Sequence, residues 1–335
     1  MKILVTGAAG YIGFPLMLKL TSAGHGVIGV DNGLRADWVA RIDPKSGYKT
    51  IPFPDIITAD LTDRDLVDEL LKIHKPDCII HSASQPSMPY SDLSWERALF
   101  TQINNLAMNL NILWGIKSNN LVKTKYIILT TTGIAGQFYQ LVPERNTLNN
   151  AGSWYHISRG FDSENCNLAH RVWGLNIIEL RTAIVYGLTT KELNSKRMTT
   201  RFDTDPYFGT AINRFMNQAS KGQELTIYGK GMQSKPFISL EDCCVSILNA
   251  VEQQFENGHH IFNQTTECVS IKTIAELIGQ EFNVPITHIE NPRKEKEDFY
   301  MQFDNSLFLK LLGQPRQLIA DGIKEMARVL KERKY

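Results

Sequence analysis

The sequence predicts an α/β protein, a doubly wound parallel sheet joined to a smaller mixed α/β region. Three observations carry this. Short apolar runs bounded by Gly, Asp or Pro alternate with helical patterns up to residue 187. Glycines 7, 10 and 13 stand between the first apolar run and the first helical pattern in "VTGAAGYIG". Beyond Gly187 the alternation gives way to a long polar stretch without a clear period. Strands alternating with helices argue for a parallel sheet covered on both faces.

The elements follow in order. "KILVTG" is the first strand, and a helical pattern runs from Tyr11 to Ser22. "GVIGVD" (26–31) is the second strand and "DIITAD" (55–60) the third, followed by the charged amphipathic "LTDRDLVDELLKIHK". "PDCIIHSAS" (76–84) is the fourth, a helical pattern covers about 93–118, and "KYIILTTT" (125–132) is the fifth. Tyr155 to Trp173 reads as a helix, and "LNIIELRTAIVYG" (175–187) begins with a sixth strand. "LTTKELNSKRMTTRFDTDPYFG" (188–209) reads as a loop, and loops of that length are usually functional or disordered. "GTAINRFMNQASKG", "LTIYG", "LEDCCVSILNAVEQQ", "HHIFNQ" and "SIKTIAELIGQEF" then mix helix and short strand. The expected organisation is a dinucleotide-binding domain over 1–187. A second region over 188–335 is interleaved with it and returns strands to it.

Composition narrows the partners. Of 335 residues, 43% are hydrophobic, enough for one large core or two unequal domains. The 36 Lys+Arg nearly balance the 35 Asp+Glu, which gives no reason to expect nucleic acid or an acidic membrane surface. No apolar run reaches the ~18 residues of a membrane span. "MKILVTG" is too short for a leader and reads as a strand. Five cysteines without a C-x-x-C pair suggest reduced, inert thiols and a cytoplasmic location. "HH" at 259–260 has no third ligand at suitable spacing, so no metal is expected.

The glycine spacing carries the first functional expectation. One glycine permits the tight turn, the next lets backbone approach a pyrophosphate, and the third lets the helix pack on the sheet. The helix N-terminus offers open N–H groups to the phosphates. Asp31 ends the next strand and can accept both adenosine-ribose hydroxyls, which favours NAD over NADP. Arg35 is either a solvated loop cation or a means of tolerating NADP. Asp60 either meets the adenine edge or caps the helix that starts near Thr62. "HSAS" (81–84) closes the fourth strand at the sheet edge where ligands of this Rossmann-type architecture lie.

The second expectation comes from "GSWYHISRGFDSENC" (152–166), which puts Tyr155 and Arg159 on one helix face. A nearby cation, with the nicotinamide's charge, lowers a phenol's pKa from ~10 and makes it a better base. Arginine keeps that charge but is planar and longer than lysine, so its grip on the nicotinamide ribose is the open point. A packed tyrosine beside a surface arginine is the alternative. Thr131, at the end of the fifth strand, can bond a substrate oxygen, or it serves only the strand. His156 is either an acid near the substrate or a packed side chain.

The glycine motif, Asp31, the Thr-rich strand end and Tyr-x-x-x-basic together resemble the extended short-chain dehydrogenase/reductase family, the sugar-nucleotide epimerases and dehydratases. Within it "QPSMPYSDLSWERALFTQINNLAMNLNIL", "YHISRGFDSENCNLAHRVWGL", "RFDTDPYFGTAINRFMNQASKGQELTIYGKG" and "NPRKEKEDFY" are similar to the UDP-sulfoquinovose synthase subgroup. That resemblance implies NAD, transient oxidation at C4 of UDP-glucose, loss of water across C5–C6, addition of sulfite, and a homodimer. It implies catalytic roles for Thr131, Thr132, Tyr155, His156 and Arg159. It implies cofactor contacts from Gly7, Gly10, Tyr11, Ile12, Gly13, Asp31, Asn32, Asp60, Leu61, Ser82, Ala83, Asn105, Tyr155 and Arg159. It implies substrate contacts from Gln85, Thr210, Asn213, Gln233, Lys235 and Arg293. The chain departs from the family where Arg159 replaces lysine and Lys235 replaces the usual arginine. Thr132–Gly133 lacks the Asp-Glu pair of the 4,6-dehydratases, which disfavours that reaction. A UDP-sugar 4-epimerase and a catalytically weak NAD-binding regulator or scaffold are the other readings.

Overall fold

The computed structural model describes residues 1–35, 56–136, 141–145, 150–291, 300–314 and 316–333. The main sheet contains β1 (Lys2–Thr6), β2 (Gly26–Asp31), β3 (Ile56–Thr58), β4 (Cys78–His81) and β5 (Lys125–Thr131). After the short β6 (Leu141–Val142), β7 (Ile177–Thr182) rejoins it, with β8 (Ile184–Tyr186) directly behind in sequence. The second half supplies β9 (Leu225–Tyr228), β10 (Ser234–Ser239), β11 (His259–Gln264), β12 (Glu267–Ser270), β13 (Ile286–Ile289) and β14 (Gln302–Phe303).

Seven strands form one sheet in the order β11-β7-β5-β4-β1-β2-β3, and every pair is parallel. β4, β5 and β7 are buried along their whole lengths, as doubly covered parallel strands must be. The lysine that opens β5 is no exception. Lys125 Nζ donates to the carbonyls of Ala250, Val251 and Gln253 at 3.0, 2.6 and 2.8 Å, satisfying the end of helix Leu240–Glu252.

The two halves exchange strands. β11, from beyond residue 187, pairs with β7, while β8, from before it, pairs with β10. One face of the sheet is covered by helices Gly13–Ser22, Leu240–Glu252 and Ser306–Leu312. The other is covered by Arg64–His74, Trp95–Ser118 and Trp154–Trp173. A separate core around Phe215, Phe237, Ile274 and Ile323 holds the second region together. Helix Ile319–Arg333, absent from the sequence expectation, packs there. Strand order reverses between β1 and β4, and ligands of open α/β sheets bind in the crevice at such a point.

Among the described residues no helix is long and apolar enough to cross a membrane. Cys78, Cys166, Cys243 and Cys244 are buried, Cys268 is exposed, and all five are unpaired. Burial pushes the Cys78 thiol up to about 12, so the nucleophilic thiolate is suppressed.

Candidate active site

A cleft of about 1390 Å³ opens at that reversal point. It exceeds the ~300–1,000 Å³ of a site for one small ligand. One wall is the glycine loop. Gly7 has φ +69°, and a Cβ there would stand 2.8 Å from the Ala83 nitrogen. A Cβ on Gly13 would run into the Gly7 carbonyl. Helix Gly13–Ser22 starts at Ile12 with no side-chain cap; Phe14 N–H is taken by the Gly10 carbonyl at 3.2 Å and Pro15 has no N–H, so Ile12 and Gly13 are the backbone this helix start presents to the cleft.

Asp31 ties this loop to β2. Its Oδ2 accepts from Ala9 N–H at 3.0 Å and its Oδ1 from Gly33 N–H at 2.8 Å. Each carboxylate oxygen keeps a second acceptor position for a ribose hydroxyl. Gly10, Tyr11, Asn32, Leu61, Ser82 and Ala83 also line the cleft. Ser82 donates to the Thr6 carbonyl at 2.6 Å, and Asn32 Oδ1 accepts from Leu34 N–H at 3.1 Å.

Three expected contacts have other work. Asp60 is exposed and not a lining residue; its Oδ1 takes Thr62 N–H and Oγ1 at 2.9 and 2.8 Å. The helix cap expected of it is supplied by Asp63, which accepts from Asp65 and Leu66. Asn105 is fully buried behind the wall. It accepts from Gln85 N–H at 2.8 Å and donates to Ser158 Oγ at 3.0 Å, so it fixes Gln85, which does line the cleft.

Arg159 is the third. Instead of the expected reach toward a nicotinamide ribose, its guanidinium turns inward and is 1% exposed. Nη1 pairs with Asp162 Oδ2 at 2.6 Å, and Nη2 donates to the Leu129 carbonyl.

The cleft brings Thr131, Thr132, Tyr155 and His156 together. Ser153 caps the Tyr155 helix by accepting from His156 N–H at 3.1 Å. Thr131 ends β5; its hydroxyl accepts from Gly133 N–H at 3.1 Å and acts on the Tyr155 phenol. Burial raises the Tyr155 pKa; the Arg159 charge and the Thr131 bond pull it back down, and Asp162 pushes it up again. Burial lowers His156 to about 4, so the imidazole is neutral near pH 7 and the expected acid would not be an imidazolium. Ser153 Oγ lies 3.0 Å from Nδ1. That oxygen also accepts from His156 N–H, and a hydroxyl can accept twice or accept and donate, so the contact fits either ring tautomer.

The opposite wall carries Thr210, Asn213, Gln233 and Lys235. Thr210 caps helix Ala211–Ser220, and Asn213 Nδ2 donates to the Asp203 carbonyl at 3.0 Å. Four buried acceptors among these lining residues lack a hydrogen-bond partner: Asp203 Oδ1, Asp205 Oδ2, Asn213 Oδ1 and Gln233 Oε1. They suit the hydroxyl and N–H donors of a nucleotide. Arg293 lies outside the described residues.

Segment 188–209 is docked across the cleft. Thr200 Oγ1 donates to the Tyr11 carbonyl at 2.7 Å, Tyr11 OH to the Gly187 carbonyl at 2.5 Å, and Ser87 Oγ to the Tyr207 carbonyl. Arg35 Nη2 meets Asp203 Oδ2 at 2.6 Å, Arg201 Nε meets the same oxygen at 2.7 Å, and Arg35 stacks 4.2 Å over the Phe208 ring. Arg35 is therefore engaged and not a solvated cation. Sequence reasoning missed Asp162 and Asp203. Both lay in quoted stretches, Asp162 one turn beyond Arg159.

Residues 3–263 match the model of the NAD dependent epimerase/dehydratase family. The chain is 29% identical to a UDP-sulfoquinovose synthase of Sulfolobus acidocaldarius, over 98% of this chain and 92% of that one. It is 30% identical to the chloroplastic UDP-sulfoquinovose synthase of Spinacia oleracea, over 96% of this chain and 73% of that one. A solved UDP-glucose 4-epimerase of Thermotoga maritima, crystallised with UDP-glucose, shares the fold with a TM-score of 0.81. It is 22% identical, and all of both chains is covered.

Proposed function

The chain belongs to the NAD dependent epimerase/dehydratase family. From that premise we propose that it oxidises C4 of a UDP-hexose transiently, in the manner of a UDP-sulfoquinovose synthase acting on UDP-glucose and sulfite. The observation that carries this is the Tyr155–Thr131 pair, facing the cleft with a buried guanidinium behind it. Two relatives of that name, similar over nearly the whole chain, support the sulfite-using reaction.

The residues present fit NAD. The glycine loop gives a close backbone cradle, the uncapped helix start suits a pyrophosphate, and Asp31 suits a ribose diol while repelling a 2′-phosphate. NAD, when bound, supplies a hydride acceptor and a positive charge that favours phenolate. Tyr155 takes the proton of the C4 hydroxyl, and Thr131 holds that oxygen. Arg159 favours the phenolate across the interior. His156 meets the sugar as a neutral imidazole. Thr131 and Tyr155 pass the protons of the C5–C6 elimination, since neither Thr132 nor Gly133 is a carboxylate. Lys235 meets the substrate diphosphate, and Asn213 and Gln233 accept from its nucleoside.

The test is product identity. Incubation with UDP-glucose, with and without sulfite, is followed by chromatographic separation and mass spectrometry of the sugar nucleotides, since epimers share a mass. The proposal expects a sulfite-dependent gain of the sulfonate mass. A mass-neutral sugar change assigns a 4-epimerase instead, and an unchanged sugar nucleotide with NAD bound assigns a regulator or scaffold.

The proposed active form is a homodimer. Trp95, Leu99, Ile103, Leu110 and Trp114 are exposed on one helix, beside Trp154, Phe161, Leu168 and Val172 on its neighbour. An apolar face of this kind on paired helices suits a second copy. Sedimentation as a single 37.9 kDa species contradicts it.

A further inference from the structure

We propose that Asp162 is a positioning residue of this site: it holds the Arg159 guanidinium in the interior behind Tyr155, where the arginine tunes the phenol through space without reaching the cofactor ribose. The proposal rests on reading Tyr155 as the base. Residues 155, 159 and 162 form one stripe of helix Trp154–Trp173, spaced four and three residues apart. Arg159 and Asp162 are 1% and 0% exposed and meet at 2.6 Å. The second prong of the fork goes to Leu129 O on β5, two residues before Thr131. The planar guanidinium spans a helix carboxylate and a strand carbonyl through two different nitrogens. The arginine and the aspartate are therefore a matched pair.

Stability is a poor account of this pair. A buried ion pair of this kind loses in desolvation about what its attraction returns. Asp162 Oδ1 has no hydrogen-bond partner, and beyond Arg159 the side chain that eases the carboxylate's charge is Asn109. The charged and titratable groups acting on the carboxylate are Arg159 from its own helix and Glu179 from β7. The carboxylate acts in turn on Tyr126 from β5 and on Cys166 one turn on. His81 from β4 faces the same guanidinium, which helps hold its imidazole neutral.

The sign of the effect follows from charge. Burial raises the Asp162 carboxyl to about 7, so it is ionised at the higher pH where a buried phenol titrates. There it opposes phenolate formation and partly cancels Arg159. Asp162→Asn keeps an acceptor for Nη1 and removes the negative charge.

The test titrates tyrosinate absorbance, with Tyr155 isolated by subtracting the matching Tyr155→Phe protein. NAD affinity is measured in parallel. Neither reading needs turnover, so failure of the sugar reaction and failure of this proposal are distinguishable. Asp162→Asn is expected to lower the Tyr155 midpoint by about one pH unit, a tenfold change. An unchanged midpoint in the folded variant overturns the proposal. Should that variant not fold, the apolar pair Arg159→Met with Asp162→Leu serves, since such replacements of buried pairs are usually tolerated. It is expected to raise the midpoint by about one unit or more and to change NAD affinity less than about threefold. A loss of NAD affinity beyond about tenfold, or an unmoved midpoint, overturns the proposal.

Discussion

Two arginine–aspartate pairs beside the cleft, one sealed in the interior and one at the edge, are built on opposite plans. Arg159 and Asp162 lie three residues apart on one helix, both closed to solvent. Arg35 and Asp203 are 168 residues apart in sequence. They join the end of β2 to segment 188–209, and Arg35 remains 26% exposed. The local pair is pre-aligned by its helix and cannot part without disturbing the sheet behind it. The distant pair joins two segments outside the main sheet and can part without unfolding either. In the proposed reading the first sets the charge behind Tyr155, and the second ties segment 188–209 to the end of β2.

Removing one arginine from each pair gives the largest contrast. Arg159→Leu strands Asp162 in the interior and should cost about 3–5 kcal/mol in thermal or denaturant unfolding. Arg35→Leu leaves Asp203 paired with Arg201 and should cost roughly 1 kcal/mol or less. Equal losses would erase the distinction between the pairs.

Access gives the next effect. Asp203→Asn should speed NAD release by about tenfold, read by exchange against labelled NAD, as one charge-assisted latch is weakened. Asp162→Asn should leave that rate within about twofold. Faster release from Asp162→Asn alone would mean that the helix pair, not segment 188–209, controls the exit.

The last effect is in pH dependence. His156 is held neutral, with its pKa lowered from 6.5 to about 4 by burial. The unfolded chain binds that proton first, so the His156 contribution is intact above pH 6.5 and is lost as pH falls toward 4. The loss is at most about 1.4 kcal/mol per pH unit. His156→Gln should flatten the unfolding profile in that window and leave it unchanged above neutrality. A profile as steep as that of the parent protein would remove His156 from the account.

What could be read in the sequence follows the same local-versus-distant divide. The glycine loop, Asp31 and strands β1 to β5 and β7 rest on short-range backbone patterns and were visible. Tyr155 and Arg159 share a face because of helix periodicity, and that too was visible. The direction of the guanidinium was not, because it depends on Leu129 from another strand. Asp60 was read as a cofactor contact from its place at the end of the third strand and Asn105 from the family resemblance, yet their side chains turn to Thr62 and Gln85. No local pattern links Arg35 to Asp203. Helix Ile319–Arg333 was a different failure. Its buried Ile319, Ile323, Met326, Ala327 and Leu330 carry a helical period that was present in the sequence and went unread.

The central claim is that Tyr155 removes the proton of the sugar hydroxyl as that carbon is oxidised. Reduction of bound NAD by UDP-glucose, followed by nicotinamide absorbance in the parent protein and in Tyr155→Phe, tests it most directly. The account predicts reduction in the parent and a loss of at least about 100-fold in Tyr155→Phe with NAD still bound. Reduction at the parental rate in Tyr155→Phe would contradict it.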